Sequence, residues 1–263
     1  MKKASKKEIY AAHGIEFNGE KILSPIGWIR PLLVDGNGKI GKGVFHFSTV
    51  PGKNEYSANI NGVDYTVDGT CADNCPGCYG MANNYKRYGY DALVMRTVIA
   101  REYPEFCKAA ILAQIQADGI KTVRIHATGD FFSRDYLNMW TEIVKANPAV
   151  VFWSYTKEYA AEKAFDEFDN ANIVKSNVEG AGYNYGHADY IIAVYNMLRE
   201  MGKDVYICRC GIDKNQHCTN CTACAKCENV LFLEHSTEYK AEKDPAFARF
   251  CELVNSQGRA YLN

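Results

Sequence analysis

The chain has 263 residues, 47% of them hydrophobic, and a formal net charge of −1 at pH 7. That is enough apolar content for one sizeable core, and the balanced charge excludes tight binding to a nucleic-acid backbone through a global basic field, leaving only a local patch for such a partner. The N-terminus, MKKASKKEIYAAHG, lacks the apolar stretch of ~7–15 residues that marks a secretion signal, and no later run approaches the roughly 18 apolar residues of a membrane span, so a cytoplasmic protein with no membrane partner is expected.

Turn signals at Asp35-Gly36-Asn37-Gly38, Pro51-Gly52 and Asn61-Gly62 separate short apolar stretches, which predicts a β-rich segment over residues 1–63. From residue 64 the pattern alternates. Strands are predicted at 65–69, 122–127, 150–155, 173–177 and 205–208, with a sixth at 230–233. Helices are predicted between them at 92–117, 134–146, 158–168 and 190–201. Asp118-Gly119, Asn147-Pro148 and Met201-Gly202 stop three of these helices. Alternating βα units imply parallel strands, hence an α/β fold. The reading is a partial (β/α)6-type TIM barrel over 64–209, followed by a Cys-rich lobe and a C-terminal helix over 210–263.

Eleven cysteines are present, an odd number, and nine fall in two tight groups, as metal-binding thiols would and a disulfide framework would not. CADNCPGC places Cys71, Cys75 and Cys78 at C-x3-C-x2-C spacing after the first predicted strand. Three thiolates on a short loop can hold three irons of a [4Fe–4S] cube and leave the fourth open to a ligand. The alternative is zinc held by the same thiols and one remote ligand.

The spacing and position of this loop resemble the radical SAM superfamily. That resemblance implies a cluster whose open iron chelates S-adenosylmethionine, a one-electron reductant such as flavodoxin or ferredoxin, and reductive cleavage to a 5′-deoxyadenosyl radical. The chain departs from that pattern in having Gly77 rather than an aromatic residue before Cys78; Tyr79 follows instead, where it is a candidate to cover the adenine. The longer pattern, GKGVFHFS, CPGCY, RIHATGDFFS and a late cysteine block, resembles the phage and prophage family "gene product 88" from about Lys39 to His235.

By the superfamily resemblance, Thr128, Gly129 and Asp130 in RIHATGDFFS are candidates to hold the methionyl amine; otherwise Asp130 is expected to cap the helix near Arg134. His126 lies two positions after Arg124, which puts both side chains on one strand face, as a functional pair or with His126 a satisfied core residue. The ends of the next strands offer Ser154, Tyr155 and Lys157, then Ser176, Asn177 and Glu179, where a ribose or carboxylate is bound in barrels. His126, Tyr155 and Lys157 are the catalytic candidates. GAGYNYGHADY reads as a lid or a plain long loop.

The second group joins Cys208 and Cys210 to Cys218, Cys221, Cys224 and Cys227. Its C-x2-C-x2-C-x2-C run resembles a bacterial ferredoxin loop and predicts a second [4Fe–4S] cluster, with a zinc site as the alternative. His217 and His235 are supplementary ligand candidates. Cys107 and Cys251 read as structural thiols. Three functions follow: a radical-SAM-like enzyme acting on an unspecified substrate, with nucleotides or nucleic acids favoured by the phage resemblance; an iron–sulfur enzyme that does not use SAM; or a non-enzymatic protein stapled by metal.

Overall fold

The structure, a computed structural model, describes residues 4–36, 40–72, 78–81, 90–176, 183–213, 216–233 and 244–257. Ser5 caps α1 (Lys6–Ala12), which packs on a later helix. A hairpin follows, β1 (Ile22–Ser24) and β2 (Gly27–Ile29), and then β3 (Val34–Asp35), antiparallel to β4 (Phe45–His46). Apart from α1, these elements are short strands joined by turns.

The first parallel strand is β4, and the expectation of a first barrel strand at 65–69 is corrected. That stretch belongs to a second hairpin, β5 (Glu55–Ile60) with β6 (Val63–Asp68), inserted between β4 and the cysteine loop. Alternation of apolar residues is the same for a hairpin arm and a half-buried sheet strand, so the pattern alone does not separate them. Asn61 and Gly62 both have positive φ, 54° and 86°, as a two-residue hairpin turn requires. Asn61 Nδ2 also donates to Ile26 O at 2.8 Å. Asn61→Ala is expected to cost about 1–2 kcal/mol, from the left-handed backbone and the lost bond, read as a lower urea midpoint.

The predicted helix 92–117 is two helices, α2 (Asp91–Glu102) and α3 (Pro104–Asp118), because Pro104 has no N–H to continue the first and suits the opening turn of the second. There follow β7 (Thr122–Arg124), α4 (Arg134–Ala146), β8 (Val151–Thr156), α5 (Tyr159–Phe165) and β9 (Ala171–Lys175). The five-stranded sheet runs β3-β4-β7-β8-β9, with β4, β7, β8 and β9 parallel. Phe47, Val123, Ile125 and Phe152 face the helices, where the fully buried Trp140 packs edge-on to Phe47 at 5.5 Å. Ala127 and Trp153 face the other way, toward Cys218, Cys224 and Ala225.

The remaining elements are β10 (Tyr183–Gly186), α6 (Ala188–Glu200), β11 (Tyr206–Ile207), α7 (Ala223–Lys226), β12 (Val230–Leu233) and α8 (Pro245–Ser256). These strands form a separate parallel sheet in the order β10-β12-β11. The GAGYNYGHADY stretch, expected as lid or loop, thus contributes a strand over Tyr183–Gly186. The α/β class holds. The parallel strands are divided between two sheets, and among the described residues neither closes into a barrel. The hydrophobic clusters part likewise, one drawing on residues from Tyr10 to Ile173 and another from Ala188 to Val254. Among the described residues, no helix is long and apolar enough to cross a membrane.

Candidate functional site

The C-terminal ends of β4, β7 and β8 meet the cysteine loop through a network of buried threonines. Beyond β4 the chain stays paired with the β7 segment, Thr49 N donating to Thr128 O at 3.1 Å. Thr70 N and Oγ1 both donate to Val50 O, Cys71 N donates to Gly52 O, and the Thr49 and Thr70 hydroxyls are 2.9 Å apart. Gly129 sits over this pair with φ +85°, and a Cβ there would lie 1.9 Å from Thr49 Oγ1. Glycine is required.

Asp130 is buried and its carboxylate is already engaged. Thr156 Oγ1 donates at 2.6 Å, Lys157 N at 2.9 Å and Phe131 N at 2.8 Å. Burial pushes this carboxyl up from its ordinary value, against the three donors that favour its charged form. The expectation that Asp130 caps the following helix is corrected: Ser133 is the N-cap of α4, accepting from Tyr136 N. Asp130 instead ties the β7 loop to the end of β8.

Arg124 and His126 do not share a face. The strand bends after Arg124, whose guanidinium lies over Tyr155, 5.5 Å from the ring centroid, and whose Nε donates to His126 O. His126 turns to the helix side, its Nε2 2.9 Å from Tyr136 Oη, its Nδ1 3.4 Å from Ser154 Oγ, and its ring edge-on to Phe131. Burial and Arg124 lower its pKa to about 3, which keeps the ring neutral. Ser154 is fully buried with it. Thr128 donates to Thr49 O. Tyr155 points to the C-terminal lobe, and Lys157 is exposed. Cys75, Asn177, Glu179 and His235 lie outside the described residues, as does the side chain of Tyr79.

Cys71 and Cys78 both act on Tyr56, whose hydroxyl is pushed up to about 12 by burial, by Tyr90 and by these two sulfurs. Gly52 N donates to Cys71 Sγ at 3.2 Å, the kind of bond that stabilises an anionic or metal-bound sulfur. In donor chemistry these two thiols fit an iron–sulfur loop. Cys71 also lines a cavity of about 320 Å³, together with Arg101, Phe132, Ser133, Arg134 and Glu158. A cavity of this size is at the lower end of small-molecule sites. Sequence reasoning missed Arg101, Arg134 and Glu158, although Glu158 directly follows the strand-end residues it singled out.

In the second group, Cys208, Cys210, Cys218, Cys221 and Cys224 line one small enclosed cavity beside Trp153 and Tyr206. Cys227 does not. Its thiol is buried behind Cys221 and Cys224, in a cluster with Tyr206, donating to Asn229 O at 3.2 Å with Asp204 Oδ2 at 3.6 Å. Burial and the neighbouring sulfurs push the Cys224 thiol up from its ordinary value. Among the described residues, no three His, Cys, Asp or Glu side chains stand ready-made as an ion's ligands. Cys107 is buried as expected, and Cys251 is half-buried.

A mostly parallel five-stranded sheet, a smaller parallel sheet and two groups of cysteines define an α/β protein. The family description "Gene product 88" matches residues 31–252, and the chain belongs to that family. It is 29% identical over 133 residues to the Gene 88 protein of Mycobacterium phage L5, an alignment covering 43% of this chain and 54% of that relative. The chain therefore spans about half the length of the curated relative it matches. No solved structure matches.

Proposed function

We propose that this chain is an iron–sulfur enzyme of the radical-SAM type, working in the reducing cytoplasm with a [4Fe–4S] cluster on Cys71, Cys75 and Cys78. The observation that carries the reading is the position of Cys71, at the C-terminal ends of parallel strands and in the wall of a cavity of about 320 Å³. Loops at this end of parallel strands are where α/β proteins place ligands. Arg101 and Arg134 offer positive charge to a carboxylate, and Glu158 offers negative charge to an ammonium, which suits the amino-acid end of S-adenosylmethionine. When bound, the cluster would pass one electron from a flavodoxin or ferredoxin to the sulfonium of S-adenosylmethionine. The residues of this chain hold the loop, through Thr70 and the Gly52 N–H, and supply the charged wall. Thr128, Gly129 and Asp130 act in this reading by fixing the loop, because the Asp130 carboxylate is satisfied within the protein.

The test is an electron paramagnetic resonance spectrum of anaerobically reconstituted, reduced protein, with and without S-adenosylmethionine, alongside an assay for 5′-deoxyadenosine. A reduced-cluster signal that changes shape on adding S-adenosylmethionine, and is lost in Cys75→Ala, is the expected result. A signal indifferent to S-adenosylmethionine would leave an iron–sulfur enzyme with another ligand, and no iron at all would sink both.

A second reading is favoured by a groove of about 1190 Å³ whose lining includes Lys6, Lys21, Trp28 and Arg30. Glu20, Asp35, Asp91 and Asp118 line it too, with Lys6 paired to Asp118, and this mixed-charge lining suits a protein partner of a metal-stapled, non-enzymatic protein. Cys75→Ala would then lower stability with no activity to lose.

A further inference from the structure

The second cysteine group is not a ring of six equivalent thiols, and its hydrogen bonds sort them. A sulfur that ligates a metal must give up its proton, so a thiol donating to a carbonyl oxygen is badly placed to be a ligand, since its anion would face that oxygen. Cys227 Sγ donates to Asn229 O at 3.2 Å and lies outside the shared cavity. Cys210 Sγ borders the cavity but donates to Gln216 O at 3.3 Å. The neighbours of two others are hydroxyl-bearing side chains, which can donate to sulfur: Tyr206 Oη lies 3.9 Å from Cys221 Sγ, and the buried Tyr155 packs in one cluster with Cys224. Such donors are what surround metal-bound thiolates.

Size bears on the occupant. As the side chains lie, the cavity these thiols enclose is about 20 Å³, little more than the ~10–15 Å³ that one water needs. That favours one ion over an eight-atom cube.

We propose that Cys208, Cys218, Cys221 and Cys224 form a four-thiolate site for a single zinc ion, with Cys210 and Cys227 left as thiols. This revises the expectation of a second cluster and is independent of how the Cys71 loop is read. Side-chain rotation about Cα–Cβ must close the four sulfurs on the ion. The site would cross-link the end of β11, the turn at Cys218–Asn220 and α7. These segments already grip the five-stranded sheet: Asn172 Nδ2 donates to Cys224 O and Cys227 O, and Thr219 Oγ1 donates to Lys42 O. The ion would thereby lock the lobe against the face of that sheet.

The experiment is metal analysis of the full chain, with zinc K-edge absorption on the wild type. About one zinc per chain is expected, with a sulfur-only shell near the usual ~2.3 Å. Cys218→Ser and Cys224→Ser should lose most of it, whereas Cys210→Ser, Cys227→Ser and Cys75→Ser should keep it. The Cys75→Ser result separates this site from the loop centre, and the absorption spectrum stands even where a ligand variant fails to fold. Iron with sulfide in the lobe, no zinc, a nitrogen or oxygen ligand, or zinc lost with Cys210 or Cys227 would overturn the assignment.

Discussion

Gly129→Ala is expected to destabilise the protein by about 2–5 kcal/mol, a large part of the ~5–15 kcal/mol that holds a domain together. Two costs add. A left-handed backbone costs a residue with a Cβ roughly 1–2 kcal/mol, and overpacking a tight site costs about 1–3 kcal/mol more. The second arises because the new methyl would sit 1.9 Å from Thr49 Oγ1 and 2.7 Å from Thr70 Oγ1. Those hydroxyls cannot retreat without breaking their bonds to each other and to Val50 O. Gly119→Ala supplies the internal control, because Gly119 has a similar φ of +62° at the end of α3 but open space around it. It should cost only about 1–2 kcal/mol. Equal urea midpoints for the two variants would refute the account of the threonine network. Because Thr70 adjoins Cys71, Gly129→Ala should also weaken any iron binding at the loop.

The second large effect is acid lability. His126 is held neutral down to about pH 3 by burial and Arg124, and His46 down to about pH 4 by burial, Arg96 and Arg124. In the unfolded chain both take up a proton near pH 6.5. The unfolded state therefore binds more protons than the folded state between pH 6.5 and about 3–4. Stability is full above that window and falls as pH drops through it. At pH 4.5, some two units below the unfolded value, each histidine removes about 3 kcal/mol. Asp130 works in the opposite sense, since its carboxyl is raised by burial and its protonation in acid relieves a cost. Urea titrations at pH 7, 5.5 and 4.5 should show a net loss of several kcal/mol. His126→Asn should flatten the slope by about one proton, whatever it does to stability at pH 7. A pH-independent midpoint would contradict the burial of these rings.

What could be read from the sequence follows the range of the interactions. α4 and β8 were legible within a residue or so, because their signals are local: a 3.6-residue apolar period ended by Asn147-Pro148, then an unbroken apolar run. The grouping of the cysteines was legible for the same reason. The first parallel strand was not, because β4 and β6 are both short alternating segments and only pairing with β7, nearly eighty residues on from β4 (Phe45↔Val123), distinguishes them. The partners of Asp130 were likewise out of reach, since Thr156 Oγ1 comes from 26 residues away. The Arg124/His126 pairing failed on one backbone bend, which turned two residues of equal parity to opposite faces. Nothing local in RIHA announces it.

The strand order β10-β12-β11 bears on how the molecule is made. β12, which supplies every ladder bond of that sheet, is the last of its strands to be synthesised, so β10 and β11 wait unpaired on the nascent chain until residues 230–233 emerge. The five-stranded sheet has all its strands by Lys175 and is free to condense well before then. Assembly should thus be staged, with the cysteines from 208 to 227 emerging while the lobe still lacks its central strand. The moment between their emergence and the arrival of β12 is when these thiols are most open to capture, or to oxidation.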